Sequence, residues 1–329
     1  MVDYHAFHLA AEATFSILAI SCSLYIIFLA MYRTKNKAVK VYSQMLVMNA
    51  CVDLGYSLCN LIGLPIFYIY DGLFFLSAGN PLLKDLPWSA NIVTSFQGFL
   101  IYVSVVIIPI QFMYRYSVIT NKPYTSPQLI RIFMIGITYP LFHGILCFYT
   151  FKEPSPEFDK IFIGDPVIGS LGYIPPYRVG DCANSKLMAV HMSNCMVMTV
   201  ASYIVIMIVY QRTREAFIRM EPQMTEQTKK VQKQMERVIF IQAVFPIVVL
   251  FIPGTVLPIA SLLKINVTMM GEFVAIMHTT PVFNSFSVVL CVPTYRRTFL
   301  SIFCRPKFVN PGSSNNKNTH TNTDSDVVF

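Results

Sequence analysis

Long apolar runs separated by short charged segments dominate the pattern along this chain. Six runs of at least 20 residues contain no Asp, Glu, Lys or Arg, and one longer run contains a single acidic residue. The seven runs cover 13–32, 41–70 (which contains Asp53), 86–114, 132–151, 187–211, 238–263 and 273–295. A helix needs about 20 mainly apolar residues to cross a bilayer, so every run is long enough to do so.

The lipid environment restricts the secondary structure of these runs. Backbone amides within lipid must be hydrogen bonded inside the protein, which helices and closed β-barrels achieve. A barrel would show alternating segments of about ten residues, and this sequence has none. We therefore predict an all-α membrane protein, a seven-transmembrane helix bundle with helices over 9–32, 42–69, 90–114, 130–150, 187–211, 238–262 and 272–293.

Three segments outside these helices have recognisable patterns. Thr225 is a plausible N-cap for a polar extension that leads into the sixth helix. The segment 295–304 is amphipathic, so it is predicted to lie on the membrane surface and to complete a membrane domain over 1–305. The segment 306–329 is mostly Ser, Thr, Asn and Gly and is predicted to be a disordered tail.

The distribution of basic residues predicts the orientation in the membrane. If the segment after the first helix is cytoplasmic, 19 of the 25 Lys and Arg residues lie on that side and 6 on the other. The positive-inside rule then places the N-terminus outside and the C-terminus in the cytosol. The same asymmetry accounts for the net charge of +8 without a nucleic acid partner, because basic residues face the lipid headgroups. The first run is too long for a cleaved signal peptide, so we expect a signal anchor.

Composition and motifs argue against a soluble protein or an enzyme. Charged residues make up 13% of the chain, whereas soluble domains have about 25%. No phosphate-binding, zinc-protease or nucleophile-elbow motif is present. The chain also has no CxxC pair among its eight cysteines, so neither a metal site nor a cofactor is expected.

Two positions are candidates for covalent modification. Asn266, Val267 and Thr268 form an N-glycosylation sequon in the loop predicted to lie outside, between the last two helices. Cys304 follows the amphipathic segment, where it is either palmitoylated or a free cytosolic thiol.

Asp53 carries the most information of any single residue. A carboxylate in mid-membrane is costly, so its side chain should face the bundle interior and have polar partners. Asn49 lies one helical turn earlier on the same face. The two residues form either a polar network that rearranges on activation or a simple hydrogen bond between helices.

The end of the third helix carries a second candidate group, Tyr114, Arg115 and Tyr116. Arg115 either caps the C-terminus of the helix and reaches the headgroups, or restrains the sixth helix at rest and contacts a cytosolic partner in the active state.

The last two helices contain residues that favour kinks and polar contacts. Pro246 frees a backbone carbonyl in the sixth helix, near Gln242. Pro281 and Asn284 are candidates for a second hinge in the seventh helix. Tyr295 and Arg296 follow that helix on the side predicted to be cytosolic.

Polar residues at the outer ends of the helices suggest a ligand pocket. They lie among Phe, Tyr, Met and Leu residues, as in a small, mainly apolar binding site, although polar residues also hold transmembrane helices together. The candidates are Thr94, Gln97, His191, Asn194, Glu272 and His278.

These features together resemble one family of receptors. The nematode serpentine chemoreceptors of the Str superfamily, in class d or the neighbouring str and srj classes, are what these motifs resemble: the run from Gln111 to Tyr116, the 224–234 segment, Gln242 with Pro246, and Pro281 followed by Tyr295 and Arg296. The resemblance covers about residues 8–305. It implies a G-protein-coupled-receptor-like fold, an odorant or pheromone ligand, a heterotrimeric G protein as partner, and the plasma membrane of sensory cilia as location.

The chain departs from the rhodopsin-like receptors at three points. Tyr114 stands where those receptors usually have an acidic residue before the arginine. Helix seven has Pro281 and Asn284 in place of the NPxxY motif, and no cysteine in 85–98 can pair with Cys182. Two other functions were considered: a seven-helix ligand-gated cation channel, which the orientation disfavours, and a transporter, which the lack of internal repeats disfavours.

Overall fold

Helices make up most of the part of the chain that the computed structural model describes, which is residues 4–34, 37–164, 173–182, 184–246, 249, 252–265 and 278–303. The helices are α1 (Tyr4–Phe28), α2 (Lys37–Gly63), α3 (Ser89–Ile119), α4 (Ser126–Thr150), α5 (Pro156–Gly164), α6 (Lys186–Met220), α7 (Glu226–Pro246), α8 (Ile252–Leu262), α9 (Thr280–Cys291) and α10 (Pro293–Phe303). The strands are β1 (Pro65–Tyr70), β2 (Leu73–Ala78) and β3 (Tyr177–Asp181).

Within the described residues, five helices are long and apolar enough to cross a membrane: α1, α2, α3, α4 and α6. The structure describes parts of the other two predicted helices. Helices α7 and α8 correspond to the sixth, and α9 corresponds to the seventh. Thr225 caps α7 as predicted, because its hydroxyl accepts a hydrogen bond from the Thr228 amide at 3.2 Å. The predicted tail 306–329 lies outside the described residues.

The second apolar run contains a helix and a strand, and the predicted helix over 42–69 is wrong at its end. Helix α2 stops at Gly63, and Leu64 follows with a φ of 42°. Pro65 disfavours a helical conformation in the residue before it. The next six residues form β1, which the apolar pattern alone cannot distinguish from buried helix.

Strands β1, β2 and β3 form an antiparallel sheet at one end of the bundle, which we call the hairpin end. Asp71 and Gly72 connect β1 to β2 with φ angles of 47° and 78°. An Asp-Gly pair is a strong hairpin signal because both central residues of such a turn need positive φ. This pair could have revealed the hairpin in the sequence.

Both faces of the sheet are buried, which explains why β1 and β2 are almost continuously apolar in sequence. Phe67, Phe74 and Leu76 pack towards the helices, in a cluster with Phe151 and Met188. The opposite face packs in a second cluster with α5, formed by Tyr68, Phe75, Phe162, Tyr177 and Val179.

Helix α3 is the central element of the bundle. It packs against α2, α4, α6 and α7, and the sheet contacts its first turns. The end of the bundle opposite the sheet is called the Arg115 end, after a residue near the last turn of α3. Two helices extend further at their C-terminal ends than predicted: α3 reaches Ile119 instead of 114, and α6 reaches Met220 instead of 211.

Asp181 ties the sheet to the end of α4. Its Oδ2 accepts a hydrogen bond from Lys152 Nζ at 2.6 Å, and its Oδ1 accepts one from the Asn184 amide at 2.9 Å. Burial raises the pKa of Asp181, but these hydrogen bonds outweigh burial and lower its pKa below the ordinary value.

We predict that Asp181→Asn lowers stability by about 1 kcal/mol, and only while the wild-type carboxyl is ionised. A carboxyl with a depressed folded-state pKa stabilises the protein above its unfolded pKa of about 3.9, and this contribution is lost as pH falls through the folded-state pKa. In lipid nanodiscs, the midpoint of thermal unfolding should therefore be lower for the variant than for the wild type at pH 7. This difference should disappear below about pH 4. A difference in unfolding midpoint that persists below that pH would contradict the prediction.

We predict that Gly79→Ala destabilises the hairpin end. A Cβ at residue 79 would lie 2.6 Å from the Leu64 carbonyl oxygen and 2.8 Å from a carbon of Ile66. Overpacking of this kind costs about 1–3 kcal/mol, which should lower the midpoint of thermal unfolding. Gly164→Ala is the matched control, because a Cβ there meets nothing within 4 Å. Equal stability of the two variants would contradict the prediction.

Candidate functional site

A cavity lies between the sheet and helices α3, α4 and α6. Its volume is about 100 Å³, somewhat below the roughly 150 Å³ of an engineered apolar cavity that holds benzene. The lining is mostly aromatic, aliphatic and sulfur-containing: Phe67, Phe74, Leu76, Thr94, Gln97, Gly98, Ile101, Tyr102, Val105, His143, Cys147, Phe151, Cys182, His191, Met192, Cys195, Thr199 and Ser261. No Asp, Glu, Lys or Arg is among these residues, so a small, uncharged ligand fits this chemistry best.

Three predicted pocket residues line this cavity: Thr94, Gln97 and His191. Thr94 Oγ1 and Gln97 Oε1 are buried, and neither atom has a hydrogen-bond partner in the described part of the chain. A buried polar atom without a partner costs free energy. A ligand that donates hydrogen bonds to these two oxygens would remove that cost.

The other three predicted pocket residues have different positions. Asn194 is absent from the lining and accepts a hydrogen bond from Tyr139 on α4, so it joins helices instead. Glu272 lies outside the described residues. His278 lies beside the cavity and reaches it through Gln97, at a distance of 2.9 Å between the Nε2 atoms.

A buried polar chain connects Gln97 to α1 and α2. His278 Nδ1 lies 2.6 Å from Glu12 Oε2, and Asn60 Nδ2 donates to the same oxygen at 2.9 Å. Because the Glu12 oxygen accepts from Nδ1, the other ring nitrogen of His278 accepts from the Gln97 amide group. This series of hydrogen bonds therefore fixes the orientation of the Gln97 carboxamide. Sequence reasoning did not single out Glu12, which lies just before the first charge-free run.

His143 and His191 form a second polar group at the cavity wall. His191 Nε2 lies 2.7 Å from His143 Nδ1, and Thr150 Oγ1 lies 2.7 Å from His191 Nδ1. The ring of His143 also meets the ring of Tyr102 edge-on, with centroids 4.4 Å apart. His143 and Cys147 were not predicted as site residues, because nothing in the sequence relates α4 to α6 in space.

Asp53 lies in a polar network near the middle of the bundle, with its side chain only 2% exposed. Asn49 Nδ2 and Asn284 Nδ2 each donate to its carboxyl oxygens at 3.1 Å. Gln111 donates to Asn49 Oδ1, so the network joins α2, α3 and α9. Pro281 stands in the first turn of α9, where a helix needs no amide hydrogen.

Arg115 is buried against α7 at the opposite end of the bundle. It is 2% exposed, and its guanidinium lies 3.4 Å from the Glu236 carboxylate. Because α3 continues to Ile119, Arg115 does not end the helix as predicted. Nearby, Tyr42 donates to Gln232 Oε1 at 2.6 Å. Helix α7 is thus tied to both α3 and α2.

The remaining predicted switch residues surround this contact. Tyr114 donates to the Val41 carbonyl, which joins α3 to α2. The buried Tyr295 hydroxyl lies 2.8 Å from Thr34 Oγ1, which joins α10 to the end of α1. Tyr116 is half-buried and Arg296 is exposed. Gln242 lies within α7 and Pro246 is its last residue. Asn266 and Cys304 lie outside the described residues.

Comparison with known proteins identifies the fold and the family. Residues 8–167 and 168–300 match the model of the family described as "Serpentine type 7TM GPCR chemoreceptor Str". No curated protein matches the chain significantly. Among solved structures, squid rhodopsin is similar with a TM-score of 0.65 at 11% sequence identity, over 91% of this chain and 86% of the rhodopsin chain. This confirms the predicted seven-transmembrane fold and the resemblance to the Str family.

Proposed function

The chain belongs to the Str family of serpentine seven-transmembrane GPCR chemoreceptors, and on that premise we propose that it senses a small, mainly apolar odorant or pheromone and signals to a heterotrimeric G protein. The observation that carries this proposal is the cavity, in which Thr94 and Gln97 have oxygens without partners among the described residues. The chain is a multi-pass membrane protein. We place it in the plasma membrane of sensory cilia, with the Arg115 end in the cytosol, where the basic residues are concentrated.

Size and polarity define the ligand. The cavity suits a molecule about the size of benzene or smaller. Its polar group should donate hydrogen bonds to Gln97 Oε1 and Thr94 Oγ1, while the remainder contacts Phe67, Phe74 and Leu76. A volatile alcohol, phenol or small amide has this combination, whereas a charged ligand would meet no counter-charge in the lining.

Signalling requires that ligand binding favours one arrangement of the helices over another. Gln97 contacts His278 directly, and His278 immediately precedes α9. In turn, α9 contacts Asp53 through Asn284 and stacks Phe283 on Phe245 of α7, with ring centroids 3.7 Å apart. A ligand that moves Gln97 would therefore act on α9, the Asp53 network and α7 together.

The Arg115–Glu236 ion pair would hold the resting state. It joins α3 to α7, so a G protein could enter between these helices only after the two charges separate. Arg115 would then be free to meet the G protein. The Glu236 carboxylate is about one-third exposed, which limits the strength of the pair to about 1 kcal/mol and keeps the switch reversible.

We predict that Gln97→Leu and Thr94→Val each weaken the ligand response. Each variant removes an acceptor for the ligand, which is worth about 1–1.5 kcal/mol, or about tenfold in the concentration for half-maximal response. The measurement is G-protein activation in heterologous cells with a panel of volatile alcohols, phenols and amides. Asn194→Ala is the matched control, because this residue contacts Tyr139 outside the cavity. If Asn194→Ala weakens the response as much as Gln97→Leu does, the proposed site is contradicted.

We predict opposite effects for the two members of the ion pair. Glu236→Gln should raise ligand-independent G-protein activation about fivefold, in keeping with the loss of about 1 kcal/mol of restraint. Arg115→Ala should abolish activation at unchanged surface expression and ligand binding. Glu226→Gln is the control, because Glu226 pairs with Lys229 on the exposed face of α7. A response that survives Arg115→Ala, or a current without G protein, would instead favour a ligand-gated channel.

A further inference from the structure

Three potential metal ligands from two helices meet at the cavity wall. His143 and Cys147 stand one turn apart on α4, which puts them on one face of that helix, and His191 faces them from α6. One ligand atom from each residue lies within 4.8 Å of the other two. All three side chains are buried, and all three line the cavity.

Hydrogen bonds already orient His191 for coordination. The Thr150 hydroxyl donates to the Leu146 carbonyl at 3.0 Å, so its oxygen must accept from His191 Nδ1. His191 Nε2 is then unprotonated, and its lone pair points towards His143. Metal-bound histidines typically have their second ring nitrogen fixed in this way by an outer partner.

The wall leaves space beside this group and supplies further soft donors. A Cβ at Gly98 would lie 3.3 Å from Cys147 Sγ and 3.5 Å from His143 Nε2, so the glycine keeps that side open. Cys195 Sγ lies 3.5 Å from His143 Nδ1, and Cys182 and Met192 also line the cavity. Thiolates and thioethers favour Cu⁺, zinc and iron–sulfur clusters, and imidazoles suit copper and zinc among other metals.

Charge balance distinguishes Cu⁺ from Zn²⁺ at this place. Among the described residues, the lining contains no carboxylate and no other fixed charge. Binding through one thiolate and two neutral imidazoles leaves a net charge of zero with Cu⁺ and +1 with Zn²⁺. An uncompensated charge in an apolar cavity is costly, so the monovalent ion is favoured.

We propose that His143, Cys147 and His191 form a binding site for one Cu⁺ ion in the cavity wall. On binding, the Cys147 thiol gives its proton to solvent and a bond forms between sulfur and copper. The proton on His143 Nδ1 moves to Nε2, which leaves the ring neutral and frees Nδ1 for the metal. One proton is released for each ion bound, and neither the copper nor the protein is oxidised or reduced.

The sequence did not predict this site, because it lacks the CxxC spacing of common metal motifs. The ligands come from helices that are about 45 residues apart in the chain, and only the packing of α4 against α6 brings them together. The proposal goes beyond the receptor function and does not depend on it, since the site can be tested without any ligand or G protein.

Copper transfer to the purified full-length receptor tests the proposal. The receptor in lipid nanodiscs, reduced and without oxygen, is titrated against Cu⁺ held by a coloured chelator, and the copper that leaves the chelator is counted. We expect one Cu⁺ per receptor and one proton released per ion. Cys147→Ser and His191→Gln should each weaken binding at least about tenfold, whereas Cys51→Ser, which removes an exposed thiol on α2, should leave binding unchanged.

Two further measurements distinguish metal coordination by these residues from a purely structural role. Thr150→Val keeps all three ligands but removes the partner of His191 Nδ1, so it should weaken Cu⁺ binding about tenfold. Thermal unfolding of the metal-free variants should match that of the metal-free wild type, which shows that they fold. No transfer of copper, or equal transfer to Cys147→Ser, would overturn the site. Displacement of Cu⁺ by an equal amount of Zn²⁺ would overturn the choice of metal.

Discussion

The interior of this bundle depends on one constraint: a polar side chain that is removed from both water and lipid headgroups must find its partner on a neighbouring helix. Two chains of buried polar residues meet this requirement. One runs from Glu12 through His278 to Gln97, and the other joins Asp53 to Asn49, Asn284 and Gln111. Each chain crosses several helices, so the polar groups set the positions of the helices as much as the apolar packing does.

The cavity is one of several places where this requirement is unmet in the described part of the chain, since buried oxygens of Ser23, Tyr56 and Asn60 also lack a partner there. At the cavity, the unpaired oxygens belong to Thr94 and Gln97, and Phe67, Phe74 and Leu76 of the sheet line the same space. A protein that only needed stability would fill such a site with apolar side chains, because unpaired buried polar atoms cost free energy. The unpaired oxygens at the cavity support the proposal of a ligand site adjacent to the polar chain that leads to α9.

Residue type and spacing were enough to predict part of the site. Asp53 with Asn49, and the position of Arg115 near the end of α3, follow from the cost of charge in a membrane and from helical periodicity. Asn194 was indistinguishable from Gln97 in the sequence, since both are amides on apolar helices. Only the packing shows that one faces the cavity and the other faces Tyr139. The partners Glu236, Gln232 and Glu12 were missed because they come from distant parts of the chain.

The sequence by itself determined the seven apolar runs and the helical fold, because the cost of exposing backbone amides or charges to lipid acts on every residue locally. The order of its motifs along the chain carried the resemblance to the family. Tertiary structure decided the rest. It turned the end of the second run into a strand, since β2 was available to pair with it, and it paired Arg115 with Glu236. It also gathered His143, Cys147 and His191 at one wall. These outcomes depend on which helices are neighbours, and neighbours are chosen by packing between segments that no local pattern relates.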